Sequence, residues 1–190
     1  EIWVGDADAD RTARASFPDT PVTLMDNPYF EELRDDPKSR RKSLQRSDKV
    51  RALFLSQPIR QHAEAGNGDL VRGYTEEALR YFLDNIDSLA KRVDEVIIRL
   101  HPSEAPDKYN WVHGAFDVPV VVDGRGDLTD AILSAEYVIG MDSMAMVVGL
   151  LADKDVVCCI PPKGKSCRLP QADILSLRDQ FPRKRFDALA

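Results

Sequence analysis

Five apolar runs recur through the chain from residue 50 onward, and each is followed by a stretch of helical character. The runs are RALFLSQ, EVIIRLH, VPVVVD, YVIGM and DVVCCI; between and after them lie YTEEALRYFLDNIDSLAKRV, KYNWVH, LTDAILSAE, SMAMVVGLLAD and PQADILSLRDQF. The runs are continuously apolar rather than alternating, so these strands are expected to be buried on both faces. Parallel strands joined by crossover helices meet that demand, so the expected fold class is α/β: a Rossmann-like, doubly wound parallel sheet with helices on both faces. In YTEEALRYFLDNIDSLAKRV, Leu79, Phe82, Leu83, Ile86, Leu89 and Val93 fall on one face, predicting a single long helix capped by Thr75. A short helix is expected over Lys108 to His113, and PQADILSLRDQF reads as a closing helix.

The first 49 residues are organised differently. Ile2 to Gly5 and Val22 to Met25 read as strands around a helix from Asp10 to Ser16, and NPYFEELRDD carries Asn27 as N-cap with Pro28 in the first helical position. Residues 37–49 are polar and basic without hydrophobic period, and read as a solvated linker. The expected organisation is therefore 1–36 as a short α/β stretch, 37–49 as a linker and 50–190 as the Rossmann-like domain. The chain starts at Glu1 and enters a strand almost at once, so it is expected to be a fragment of a longer protein.

Composition narrows the function. Hydrophobic residues make up 43% and charged residues 31% of the chain, and the net charge of −6 disfavours a nucleic-acid partner. Three cysteines, two of them adjacent, do not make a disulfide framework, which points to a reducing, cytoplasmic setting. No apolar run approaches the roughly 20 residues that span a bilayer. No Walker A, G-x-G-x-x-G or G-x-S-x-G pattern is present, and His62, His101 and His113 are scattered, so no metal site or bound cofactor is expected.

Ligands of doubly wound folds sit at the carboxyl ends of the strands. The residues there are Gln57 and Arg60, His101 with Ser103 and Glu104, Gly124 and Gly126, then Gly140, Asp142, Ser143 and Met144. Ser143 opens an apolar helix, where backbone N–H groups and the hydroxyl suit an anion, though capping explains the same residue types. His101-Pro102 puts an imidazole at the sheet rim, suited to a departing phosphate or to a structural hydrogen bond. Lys108 and Tyr109 read as a cap over this site or as surface residues. The glycines at 124 and 126 allow close backbone approach or simply make a turn. Asp6, Asp8 and Asp10 read as the cap and first turn of a helix rather than as a catalytic base.

In their order and spacing, ALFLSQPI, IIRLHPSE…KY, LTDAILSAEYVIGMDSMAMVVGLL and VVCCIPP resemble the C-terminal half of GT-B glycosyltransferases, over about residues 50 to 165. The nearest kinds are bacterial sialyltransferases, polysialyltransferases and capsule or lipooligosaccharide transferases with a His-Pro motif. The resemblance implies a nucleotide-sugar donor, with CMP-sialic acid as the specific expectation, and a bacterial surface glycan as acceptor. It also implies that 1–36 is the tail of an N-terminal α/β domain, with metal-independent transfer and peripheral membrane association through regions outside this chain. By the same resemblance His101 would assist leaving-group departure and Ser143 would bind the donor phosphate. Ser103, Glu104, Gly124 and Gly126 would lie near the nucleoside, while Gln57 and Arg60 would line the interdomain cleft. The family pattern Ser-x-Ala-Leu-x-Glu-Ala-Leu-x-x-Gly-Lys is met here by Val148 in place of its ribose-binding glutamate and by Asp153 in place of its glycine. A nucleotide-sugar epimerase of the same plan, or a non-catalytic scaffolding descendant favoured by Val148, are the alternatives.

Overall fold

The computed structural model describes residues 1–26, 28, 31, 48–59, 75–123 and 126–180. The N-terminal unit is one βαβ turn: β1 (Ile2–Val4), α1 (Ala7–Ser16) and β2 (Val22–Leu24), the two strands pairing in parallel. The helix expected from Asn27 and most of the linker fall outside the described residues.

A six-stranded sheet follows. Its strands are β3 (Arg51–Leu55), β4 (Glu95–Arg99), β5 (Val120–Asp123), β6 (Tyr137–Gly140), β7 (Asp155–Cys158) and β8 (Leu175–Ser176). Every pairing is parallel and the spatial order is β5-β4-β3-β6-β7-β8. The sheet grows outward from β3 in one direction, then returns to β3's other side and grows in the opposite direction. Because parallel crossovers are right-handed, this reversal puts α2 (Thr75–Asp84) on one face and α3 (Leu128–Ser134) and α4 (Met144–Leu151) on the other. The latter two helices pack on each other. The Rossmann-like doubly wound arrangement read from the sequence is therefore the fold.

The interior explains the continuous apolar runs. Leu53, Phe54, Ile98, Val138 and Ile139 are wholly buried in the sheet, with Leu79 and Phe82 of α2, Ile132 of α3 and Met146 of α4 against them. Each such side chain contributes about 1.5–3 kcal/mol by leaving water.

Four expectations are corrected. The long helix stops at Asp84, where the Asn85 side chain donates to the Tyr81 carbonyl (2.8 Å) and Ile86–Ser88 tightens into a 3₁₀ turn. Leu89 and Val93 then pack on the core from the segment leading into β4. Thr75 is the first residue of α2, and its hydroxyl donates to the Gln57 carbonyl (2.5 Å) instead of accepting a cap bond. The closing helix is reduced to α5 (Leu177–Gln180), because Leu175 and Ser176 pair with Val157 and Cys158 as β8. Completing the edge of β7 satisfies backbone groups that a helix starting at Pro170 would leave facing nothing. The helix expected over Lys108 to His113 is a 3₁₀ turn at Asn110–Val112.

Candidate functional site

Strand order reverses between β3 and β6, so the crevice of this fold opens where their carboxyl ends diverge. Gln57, beyond β3, and Asp142, beyond β6, meet across it. The Gln57 Nε2 donates to Asp142 Oδ1 and the Asp142 backbone N–H to Gln57 Oε1, both at 3.5 Å. The two residues thus face each other as a long reciprocal pair at the head of the crevice.

His101, Ser103 and Glu104 form one compact turn beyond β4. The Ser103 backbone N–H points at His101 Nδ1 (3.2 Å), and the Ser103 hydroxyl lies 2.8 Å from the same nitrogen. A backbone N–H can only donate, so Nδ1 is the acceptor and the neutral ring carries its proton on Nε2, on an exposed imidazole. Glu104 is turned inward: Oε2 takes the His101 backbone N–H (2.8 Å) and Oε1 takes the Lys108 ammonium (2.5 Å).

Lys108 and Tyr109 are neither a lid nor surface residues. The Lys108 ammonium also lies 3.6 Å from Glu76 Oε2 and 3.5 Å from the Gln57 carbonyl, while the Tyr109 ring is wholly buried against Phe54. The Tyr109 hydroxyl and Ser56 Oγ share a 2.6 Å hydrogen bond, and burial pushes the phenol well above its ordinary range. A continuous chain of contacts therefore runs from Asp142 through Gln57, Lys108 and Glu104 to His101.

At the end of β6 the glycine has a packing reason. A Cβ at Gly140 would stand 2.9 Å from Met146 Sδ and 3.1 Å from its Cγ, so absence of a side chain lets α4 lie close to the strand. Gly140 has no positive φ, so this contact and not a turn accounts for the glycine. Ser143 is the N-cap of α4, its Oγ accepting the Ala145 N–H (3.3 Å), and Met144 beside it is exposed. The Asp142 carboxylate, whose side chain is 3% exposed, accepts Arg168 Nε at 3.1 Å. Arg168 comes from an irregular segment, and nothing in the local sequence pattern marks it.

Asp153 resolves one departure from the resemblance. It has φ +54°, its N–H bonds the Leu150 carbonyl, and the Lys154 N–H bonds the Gly149 carbonyl. This is a Schellman end to α4, with Asp153 in the left-handed position that glycine usually fills and aspartate tolerates. The Lys154 ammonium then holds the Leu133 and Ala135 carbonyls behind α3. Val148 is buried in the core, without polar atoms on its side chain.

Gly126, at φ +84°, leads into Asp127, the N-cap of α3, and its carbonyl accepts Arg99. Gly124 and Arg60 lie outside the described residues. Asp6 caps α1 through the Ala9 N–H (2.7 Å), while Asp8 and Asp10 pair with Arg11 and Arg14. The Asp6 carboxylate also accepts Gln171 Nε2 (2.9 Å), which ties the N-terminal unit to the larger sheet. Among the described residues no group of three or more His, Cys, Asp or Glu side chains could hold a metal ion, and no helix is long and apolar enough to cross a membrane.

No family model matches the sequence, and no curated protein matches it. Two solved structures of KpsC from Thermosulfurimonas dismutans are similar to the chain. The β Kdo 2,7 transferase shares 18% identity over 85% of this chain and 50% of its own, with a TM-score of 0.47. The β Kdo 2,4 transferase shares 15% identity over 74% of this chain and 51% of its own, with a TM-score of 0.40. The chain spans about half the length of each.

Proposed function

We propose that this chain is the nucleotide-sugar-binding half of a GT-B glycosyltransferase that builds a bacterial surface glycan, with CMP-sialic acid as its donor. The observation that supports the reading is the strand reversal, with a capped helix start beyond the carboxyl end of β6 and an exposed imidazole beyond that of β4. Departure of a nucleotide leaves negative charge on its phosphate. The N-terminus of α4 offers its dipole to that charge, and His101 offers the Nε2 proton that its Ser103 contacts assign. Asp142 does not oppose an anion here, because Arg168 and Gln57 engage its carboxylate. In this reading protein groups, not a metal, carry the charge.

Titration calorimetry with CMP, UDP, CDP and GDP tests this. One nucleotide should bind, and His101→Ala and Ser143→Ala should each weaken it by about tenfold, the effect of one charge-assisted hydrogen bond. Binding of none sinks the proposal, and binding unchanged in both variants moves the site elsewhere. A second reading, a non-catalytic scaffolding module, is favoured by Val148, which offers no acceptor where the family glutamate would take the ribose hydroxyls. That reading expects no nucleotide binding.

A further inference from the structure

The three cysteines stand in different surroundings. Cys159 is wholly buried, its S–H donates to the Gly140 carbonyl (3.2 Å), and burial pushes the thiol up. Cys158 ends β7, with its sulfur 3.1 Å from the Met141 carbonyl oxygen. Cys167 is half-buried in the irregular segment between β7 and β8. Cys158 and Cys167 line one cavity of about 200 Å³, together with Ser166, Gln171 and Arg178.

A thiol has one proton to give. When Cys158 turns its proton from the Met141 carbonyl to the Cys167 sulfur, it stabilises a thiolate there. That hydrogen bond brings Cys167 down to about 7, with the Arg168 guanidinium assisting while burial and the Asp142 carboxylate oppose. The same bond, with burial, pushes Cys158 up. The pair thus holds one nucleophilic sulfur beside a protonated partner, the arrangement in which thiols exchange with disulfides.

We propose that Cys158 and Cys167 are a redox-active dithiol that small-molecule disulfides oxidise to an intramolecular disulfide. The Cys167 thiolate attacks one sulfur of glutathione disulfide, forming a mixed disulfide and expelling one glutathione thiolate. Cys158 loses its proton to that thiolate and attacks Cys167 Sγ, expelling the second glutathione. Two protein thiols are oxidised, and one glutathione disulfide becomes two glutathiones. Cys158 is fixed in the sheet, so the approach to bonding distance falls to the irregular segment carrying Cys167. The next residue on that segment is Arg168, which holds Asp142 at the crevice, so the disulfide would pin this contact to β7. The proposal does not depend on the glycosyltransferase reading.

Incubation of the chain in glutathione buffers, followed by alkylation under native conditions and peptide mapping, tests it. The expected product is a Cys158–Cys167 disulfide. Cys159→Ser should leave it unchanged, and Cys158→Ser should stall with glutathione on Cys167. In the reduced protein, alkylation of Cys167 should be half-maximal near pH 7. In Cys158→Ser the midpoint should move toward about 8.5, the ordinary thiol value. Cys167→Ser alters only the half-buried partner and should abolish the product while the circular dichroism stays native. Persistent glutathionylation of Cys167 in the unsubstituted chain, a Cys158–Cys159 bond, or no modification at all would overturn the proposal.

Discussion

The turns beyond β4 and β6 each carry an ion pair, built in opposite ways. Lys108 and Glu104 have side chains only 7% and 0% exposed, whereas Arg168 is 66% exposed over a buried Asp142. In the first pair both charges have left water, so each is compensated by the other, by Glu76 beside the ammonium and by the hydrogen bonds around them. In the second, one partner stays solvated and can leave without stranding its own charge. The β4 end is a fixed platform for His101. At the β6 end, the cation is free to exchange Asp142 for another anion.

Four substitutions sharpen or break that contrast. Lys108→Met strands the Glu104 carboxylate and should cost about 3–5 kcal/mol in urea unfolding. Adding Glu104→Gln should recover much of it, and a single-variant loss below about 1 kcal/mol would mean that water already reaches the pair. Gly140→Ala drives a methyl into Met146, and overpacking of this kind costs about 1–3 kcal/mol; Gly140→Ala with Met146→Ala should be less than additive. Tyr109→Phe leaves the Ser56 hydroxyl buried without its partner, at about 1–2 kcal/mol by thermal unfolding. Arg168→Ala should cost about 1 kcal/mol, since the buried Asp142 carboxylate loses its ion pair but keeps Gln57 and faces solvent where Arg168 lay. A cost as large as that of Lys108→Met would erase the difference between the two ends. Nucleotide titration of Arg168→Ala reads the same end functionally.

Much of the fold was legible because its strands are continuous apolar runs, a pattern that only a sheet covered on both faces accommodates. The last helix was misread because Ile174, Leu175 and Leu177 suit a helix face as well as a strand edge, and only the vacant side of β7 decides between them. The strand ends were legible as ligand-facing positions, since Gln57, His101 and Asp142 follow apolar runs directly. The inward turn of Glu104 and Lys108 was not, because charged residues in a loop read as solvated until a buried partner is seen. Arg168 was hidden for another reason: its contact with Asp142 joins two segments far apart in the chain and leaves no local pattern.

The central position of β3 also has a kinetic consequence. β6 pairs with β7 across one short helix, from Tyr137 to Asp155, and β4 with β5 across one turn-rich segment, from Val96 to Val120. β3 must find Val96 on one side and Tyr137, much further along the chain, on the other. Loop closure therefore favours two separately formed halves, with the seam between β3 and β6 completed last. That seam lies under the candidate crevice. A ligand bound across Gln57 and Asp142 would hold together the part of the sheet that assembles latest, and would slow its opening more than that of any other strand pair.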